Sequence, residues 1–273
     1  MKEGSRRDSA AREVRDNSKI VIRITVAALV GLTVYALATL DFGGVNIREA
    51  VGETLRNFGT VFSRPYSRRL TVGDAAIELS ITVGLAILTT LFSAIVSLFL
   101  GLLGARNLAP EGVTKTVKAV VAVIRAIPSI LWVLVFAVSV GLGSTAAVIG
   151  LSMHSIGYLT KAYAESFECL DQGVVEALQA VGATWWQIVF RAILPSASPY
   201  LLSWTFLRFE MNFTNVVAMG AAAGAAGIGF DLFMASSLYF DLGELGLITY
   251  FILGFAILLE ILATRVKVNL KER

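Results

Sequence analysis

The sequence predicts an all-α, polytopic membrane protein with about six transmembrane helices, and three observations carry that expectation. Apolar residues fill 56% of the 273 positions, and the mean hydropathy is +0.74. Several apolar runs reach the roughly 20 residues a helix needs to cross a bilayer. Charged residues, 16% of the chain, gather in short clusters between those runs. One cysteine (Cys169) and one histidine (His154) exclude an internal disulfide and a His/Cys metal cluster. No lysine follows a glycine, so there is no phosphate-binding loop and no nucleotide site of that kind. No set of residues suggests catalysis, and nothing points to nucleic acid.

Residues 1–70 read as a tail, a first span and an external loop, and residues 71–273 as the transport core. The mixed-charge tail 1–19 belongs on the inner side by the positive-inside rule. Residues 20–40 form the first span. Ala36-Leu37-Ala38 is similar to a signal-peptidase site, but the apolar run exceeds a signal h-region and Arg23 sits near its start, so the span stays uncleaved. Residues 41–74 make an external loop with a short interfacial helix over 46–62. Its five arginines oppose the positive-inside bias. The remaining inner loops and ends outweigh them, and the loop 219–244 carries Asp231, Asp241 and Glu244 without a base. Both termini are therefore expected inside.

The second span, 77–104, ends at Ala105-Arg106-Asn107-Leu108-Ala109-Pro110, a charged stop on the inner side. A third span over 119–140 contains Arg125 and Pro128, and Pro128 removes a backbone hydrogen bond, so a kink or the start of the buried part is expected there. After the turn Gly141-Leu142-Gly143-Ser144, a fourth span over 145–167 carries His154, Lys161 and Glu165. Lys161 and Glu165 can pair at i, i+4. A single histidine favours a packed interior residue over a proton relay.

The fifth span covers 197–218 and places Arg208 about 15 Å in, near the bilayer midplane. A charge there costs about 2.5–3.5 kcal/mol on insertion scales, so it seldom faces lipid. Arg208 and Glu210 are two residues apart and point in different directions, so at least one faces a partner helix or the aqueous pathway. A structural hydrogen bond and a transport role both remain open for Arg208. Gly220 and Gly224 form a small-residue packing face if helical, or an outer turn or gate if not. Residues 245–264 form the sixth span, followed by Arg265, Lys267, Lys271 and Arg273.

Between the fourth and fifth spans lies a polar-studded island, Glu176 to Pro195. Val174, Ala177, Leu178 and Val181 recur at i, i+3, i+4 and i+7, one apolar stripe of an amphipathic helix. Gly182 permits a bend. Trp185, Trp186, Ile188 and Val189 begin a second short helix, and Pro195 and Pro199 mark re-entry into a long one. The result is a compact knob outside the bilayer.

This island resembles the EAA loop of permease subunits in bacterial ATP-binding-cassette importers. Glu176, Ala177, Gly182, Leu194 and Pro195 stand at the family's positions. Leu178 replaces its second alanine, adding bulk at the docking surface, and Ala192 replaces its aliphatic residue. Further stretches resemble the phosphonate importer permease over roughly 75–235. They are Ala105-Arg106-Asn107 with Pro110, Arg125-Ala126-Ile127-Pro128 with Trp132, Gly141-Leu142-Gly143, His154-Ser155-Ile156-Gly157 with Lys161, Glu165 and Glu168, the Arg208, Glu210, Asn212 group, and Gly227-Ile228-Gly229. Thr214, where the family commonly has a basic residue, and Ala225-Ala226 depart from its pattern.

The resemblance implies a type I importer permease fold in a bacterial inner membrane. It also implies a second permease copy, identical or paralogous, two cytosolic ATPase subunits that hold ATP and Mg, and an external substrate-binding protein. Coupling to the ATPase would run through Glu176, Ala177, Leu178, Gly182, Trp185 and Pro195 in the 168–196 loop. His154, Arg125, Arg208, Glu210 and Asn212 would be candidates for the translocation pathway, and the cargo phosphonate or a related small oxyanion. Permeases for methionine or phosphite are alternatives. An ATP-independent secondary transporter should show inverted repeats, which the sequence does not display.

Overall fold

The computed structural model describes the backbone of residues 2–40, 43–44, 46–169 and 172–271, and the side chains of 19–40, 43–44, 46–169 and 173–265. The sequence-predicted basic residues beyond Arg265 and in the first eighteen positions therefore have side chains outside the described residues. Every regular element is helical: α1 Lys2–Thr39, α2 Ile47–Ser63, α3 Val72–Gly104, α4 Glu111–Ala126, α5 Ser129–Val140, α6 Ser144–Glu168, α7 Gln172–Ala180, α8 Trp185–Ile188, α9 Leu194–Ala223, α10 Ile228–Phe233 and α11 Leu242–Lys271. The chain divides into two compact units, Met1–Arg56 and Asn57–Arg273.

In the first unit α1 begins at Lys2, so residues read as a polar tail continue the first span as one helix. In the second unit α6 is the central element, flanked by α3, α4, α5 and α9. The reason is legible in α3. Ala86, Thr90, Ser93, Ser97, Gly101 and Gly104 fall on one face, and all six are buried. Small residues let helix backbones approach inside a membrane, where apolar burial alone gives helices little reason to associate. Two serine hydroxyls on that face bridge the helices: Ser93 and Ser97 donate to the carbonyls of Ser152 and Ile156 on α6, at 3.3 and 3.1 Å.

Lys19–Thr39, Val72–Gly104 and Leu242–Arg265 are long and apolar enough to cross a membrane, and two bent pairs bring the number to five. The one expected span not among these, the fourth (145–167), is the helix α6. Its serines, threonines, lysine and glutamates make it too polar to qualify by composition, and protein rather than lipid surrounds much of it. The expected kink at Pro128 is an 86° break between α4 and α5. Trp132 donates its indole N–H to the Ile124 carbonyl at 3.2 Å, covering one acceptor that the break leaves without a helical partner.

Three further expectations change. The second short helix of the island is not separate: Trp185–Ile188 runs through a π turn, Val189–Ile193, directly into α9. Pro195 therefore lies inside a continuous helix, two residues past the π turn, and Pro199 lies further along it, so neither proline marks a helix start. The region 219–244 is not merely a loop. The helix α9 extends to Ala223, turns at Gly224 in a left-handed conformation (φ 62°), and returns as α10. Gly220 packs directly against the backbone at Gly229 and Phe230, so one glycine of the pair serves packing and the other the turn.

Candidate functional sites: a buried polar node and an exposed knob

Arg208 is 2% exposed, the largest fully buried side chain. Its Nε donates to Ser155 Oγ at 3.0 Å, and Nη2 lies 3.0 Å from His154 Nδ1. The guanidinium carbon stands 5.3 Å from the Tyr158 ring centroid, within cation–π range. Ser155 Oγ in turn donates to Asn212 Oδ1 at 3.0 Å, and Asn212 Nδ2 donates to Thr90 Oγ1 at 2.9 Å. One network thus joins α3, α6 and α9. Three sequence candidates, His154, Arg208 and Asn212, meet in it.

The other two candidates lie elsewhere. Glu210 is half-buried one turn short of Thr214, whose hydroxyl donates to its carbonyl at 3.4 Å. Arg125 ends α4, exposed, with its stem against Gly157: a Cβ there would stand 2.8 Å from Arg125 Cγ. Ser155, Thr90 and Tyr158 complete the network; Thr90 and Tyr158 were not singled out from sequence, and Ser155 was named only within the His154-Ser155-Ile156-Gly157 stretch. Ser155 and Tyr158 flank Gly157 in a polar stretch, a signal that was present. Thr90 sits in an apolar run and offers none.

The knob is built from the opposite logic. The helix α7 turns at Gly182 (φ 82°), where an added Cβ would meet no atom within 4 Å, so the glycine answers a backbone need alone. Thr184 then caps α8: its Oγ1 accepts from Gln187 N at 3.4 Å, while Gln187 Oε1 accepts from Thr184 N at 2.7 Å. Of the predicted stripe, only Leu178 faces the protein. Val175 (3% exposed) and half-buried Leu178 point inward, into a cluster with Leu108, Leu159, Phe167 and Ile188. Val174, Ala177 and Val181 face out, Val181 at 80% exposure.

Leu178 therefore contributes to anchoring rather than adding bulk outside. Trp185 also turns inward: its Nε1 donates to the Leu108 carbonyl at 2.8 Å, because α8 packs on the turn that follows α3. Its neighbour Trp186 is 56% exposed and stacks on exposed Phe190, centroids 5.8 Å apart. Glu176, Gly182 and Pro195 are exposed. Sequence reasoning passed over Trp186, Phe190 and Val181 as outward residues, although the Trp-Trp pair shows that one indole must face away when its neighbour is bound.

The turn 105–108 holds the knob to α6. Asn107 Nδ2 donates to the Phe167 carbonyl at 2.9 Å, and Arg106 N and Lys118 Nζ both donate to Glu168 Oε1 at 2.9 Å. Partial burial opposes the charged form of Glu168. The bonds from Lys118 and Arg106, with the field of both cations, outweigh it and hold the carboxyl below the usual carboxylate range. Among the described residues, no three of His, Cys, Asp and Glu gather to hold a metal ion.

Residues 97–273, which include the node's α6 and α9 and the whole knob, match the family described as "Binding-protein-dependent transport system inner membrane component". The chain belongs to that family. This transport component is similar to the phosphate-import permease protein PhnE of Mycolicibacterium smegmatis, 33% identical over 178 residues, 64% of this chain and 33% of that protein. It is likewise similar to the phosphite transport system permease protein PtxC of Stutzerimonas stutzeri, 33% identical over 180 residues, 66% of this chain and 65% of that one. The matches thus span a third and just under two thirds of those relatives.

Among solved structures, the MetNI methionine ABC transporter in inward-facing conformations matches with a TM-score of 0.64 at 21% identity, covering 70% of this chain and 94% of that one. The fold is that of an ATP-binding-cassette importer permease, in a multi-pass inner-membrane protein.

Proposed function

We propose that this chain is the permease subunit of an importer that moves a small phosphorus oxyanion (phosphonate, phosphite or phosphate) into the cytoplasm. Two partner ATPase subunits, holding ATP and Mg, drive it from the 168–196 knob. A second permease copy completes the pathway, an external binding protein delivers the anion, and both termini lie inside. The carrying observation is the knob's polarity. Val174, Val181, Trp186 and Phe190 are exposed, while Val175, Leu178 and Trp185 fix the same element to the transmembrane body. An apolar patch on a rigid base suits a partner that must transmit force, because movement of the patch moves the helices. The named relatives support phosphorus oxyanions as the cargo.

Co-reconstitution with the ATPase and binding protein tests this reading. Glu176→Lys and Gly182→Asp should abolish ATP-driven uptake while the variants insert normally. Wild-type-like uptake by both would refute the coupling role.

A second reading, a methionine-type cargo, draws on the protein named probable D-methionine transport system permease protein MetI of Pasteurella multocida, 27% identical over 169 residues, 58% of this chain and 76% of that one. Uptake of methionine but not of phosphite would favour it.

A further inference from the structure

A further charged region lies between the node and the turn that holds the knob. Between α4 and α6 is a cavity of 390 Å³, lined by four cations (Arg106, Lys118, Arg125 and Lys161) and two carboxylates, Glu165 and Glu168. Its volume falls within the range of small-ligand pockets. The carboxylates are already engaged: Lys118 pairs with Glu168 at 2.9 Å, and Lys161 with Glu165 at 3.6 Å. Glu168 also lies within the field of Arg106, whose amide it accepts. The guanidinium groups of Arg106 and Arg125 form no ion pair or hydrogen bond among the described residues. Two positive charges are left over.

The same cavity is lined by Thr160, which is 2% exposed and whose hydroxyl has no hydrogen-bond partner. A buried hydroxyl without a partner is uncommon, and it calls for a ligand or water. Guanidinium presents planar paired donors that match an oxyanion, and a hydroxyl adds a third donor. Arg125 is placed for this by the 86° break that ends α4 and by Gly157, against which its stem lies. Thr160 follows Gly157 by three residues, nearly one helical turn on.

The site also connects to the buried node. His154, Tyr158, Lys161, Glu165 and Glu168 recur at i, i+4, i+7, i+11 and i+14 and so share one face of α6. A smaller recess of 160 Å³, lined by Arg125, Tyr158, Lys161 and Trp204 among others, lies between Arg125 and the ring that covers Arg208.

We propose that the α4–α6 cavity binds a phosphorus oxyanion group through Arg125 and Thr160, with Arg106 drawing the anion from the cavity's other end. On the importer reading, on which this last assignment rests, the site is a station of the transported anion along the α6 face. A lipid headgroup phosphate carries the same chemistry and is the competing source.

The test uses the full chain in phosphatidylcholine nanodiscs, without ATPase, and measures equilibrium binding of inorganic phosphate and phosphite. Binding is expected, and Arg125→Gln and Thr160→Val should each weaken it about tenfold or more, the effect of losing one hydrogen bond to a charged ligand. Lys115→Gln, which breaks the Glu111 pair on the same helix outside this cavity, should leave it unchanged. A parallel arm adds phosphatidylglycerol and follows retained lipid by native mass spectrometry. Arg125-dependent retention of that lipid without phosphate binding would overturn the transported-anion assignment and give the site to a headgroup. Binding of neither probe, or binding indifferent to Arg125→Gln, would overturn the site itself. Absence of ATP-driven uptake by the wild type would instead strike the importer reading and leave a positive binding result standing.

Discussion

The node around Arg208 and the knob around Gly182 belong to one polypeptide but solve opposite problems. At the node, a charge two per cent exposed joins a network that crosses three helices, so that Ser155, Asn212 and one ring nitrogen of His154 are engaged within the chain. At the knob, tryptophan, phenylalanine and valine are left facing outward although buried neighbours one residue away show that room existed inside. A chain that satisfies polar groups in its interior and leaves apolar ones outside has inverted the usual pattern in both places. The inversion separates what the protein finishes alone from what another molecule finishes.

If that contrast is right, variants at the node should cost stability and variants on the knob should cost coupling. The largest stability effect is expected from Arg208→Ala, which empties a fully buried site and removes the donors to Ser155 Oγ and His154 Nδ1. A loss of about 2–5 kcal/mol, the range for truncating large buried side chains, should appear as a lowered unfolding midpoint in detergent. Asn212→Ala should cost less, about 1–2 kcal/mol, since hydrogen bonds between membrane helices contribute roughly 0.6 kcal/mol each and reach about 1.7.

Gly182→Val should cost about 1–2 kcal/mol through the left-handed dihedral alone, and Gly182→Asn clearly less. Equal destabilisation by both would mean that packing, not backbone conformation, fixes this position. Trp186→Ser should leave the midpoint within about 0.5 kcal/mol yet weaken association with the ATPase by about 2 kcal/mol, roughly thirtyfold. An unfolding shift without an association change would erase the distinction between the two regions.

The smallest effect concerns Glu168. A carboxyl held below its unfolded-chain value contributes stability that is fully present above the ordinary carboxylate range and is lost as the pH falls through the folded-state value. Glu168→Gln should flatten that acid limb, by no more than about 1 kcal/mol for a partly exposed pair. An unchanged limb would place the acid sensitivity elsewhere.

Much of this architecture was legible in the sequence because bilayer crossing imposes lengths that composition alone reveals. The break at Pro128 and the bend at Gly182 followed from backbone chemistry that leaves little choice. The orientation of α7 was not legible. Val174, Ala177, Leu178 and Val181 form a stripe on a helical wheel, but periodicity locates an apolar face without saying whether its own chain or another covers it. The helix sits with Val175, off the stripe, and Leu178, at its edge, turned inward, which leaves Val174, Ala177 and Val181 outside. The partnership of Arg208 with Ser155 and of Asn212 with Thr90 was also hidden, since contacts across 53 and 122 positions depend on how helices cross. Helix α6 shows the limit of hydropathy itself: the most enclosed element is too polar to be counted as a span, because proximity to other helices replaced contact with lipid.

The π turn at Val189–Ile193 has a mechanical meaning. It splices α8 onto α9 without a loop, so Trp186 and Arg208 ride on one continuous stick, roughly 33 Å apart by helical rise. A lever of that kind has no loop between handle and load. The widened turn near the handle is where such a stick can flex, as insertions of this sort do in other helices. How much of a torque applied at the indole reaches the guanidinium is therefore set by the stiffness of that turn and of the helix at Pro199.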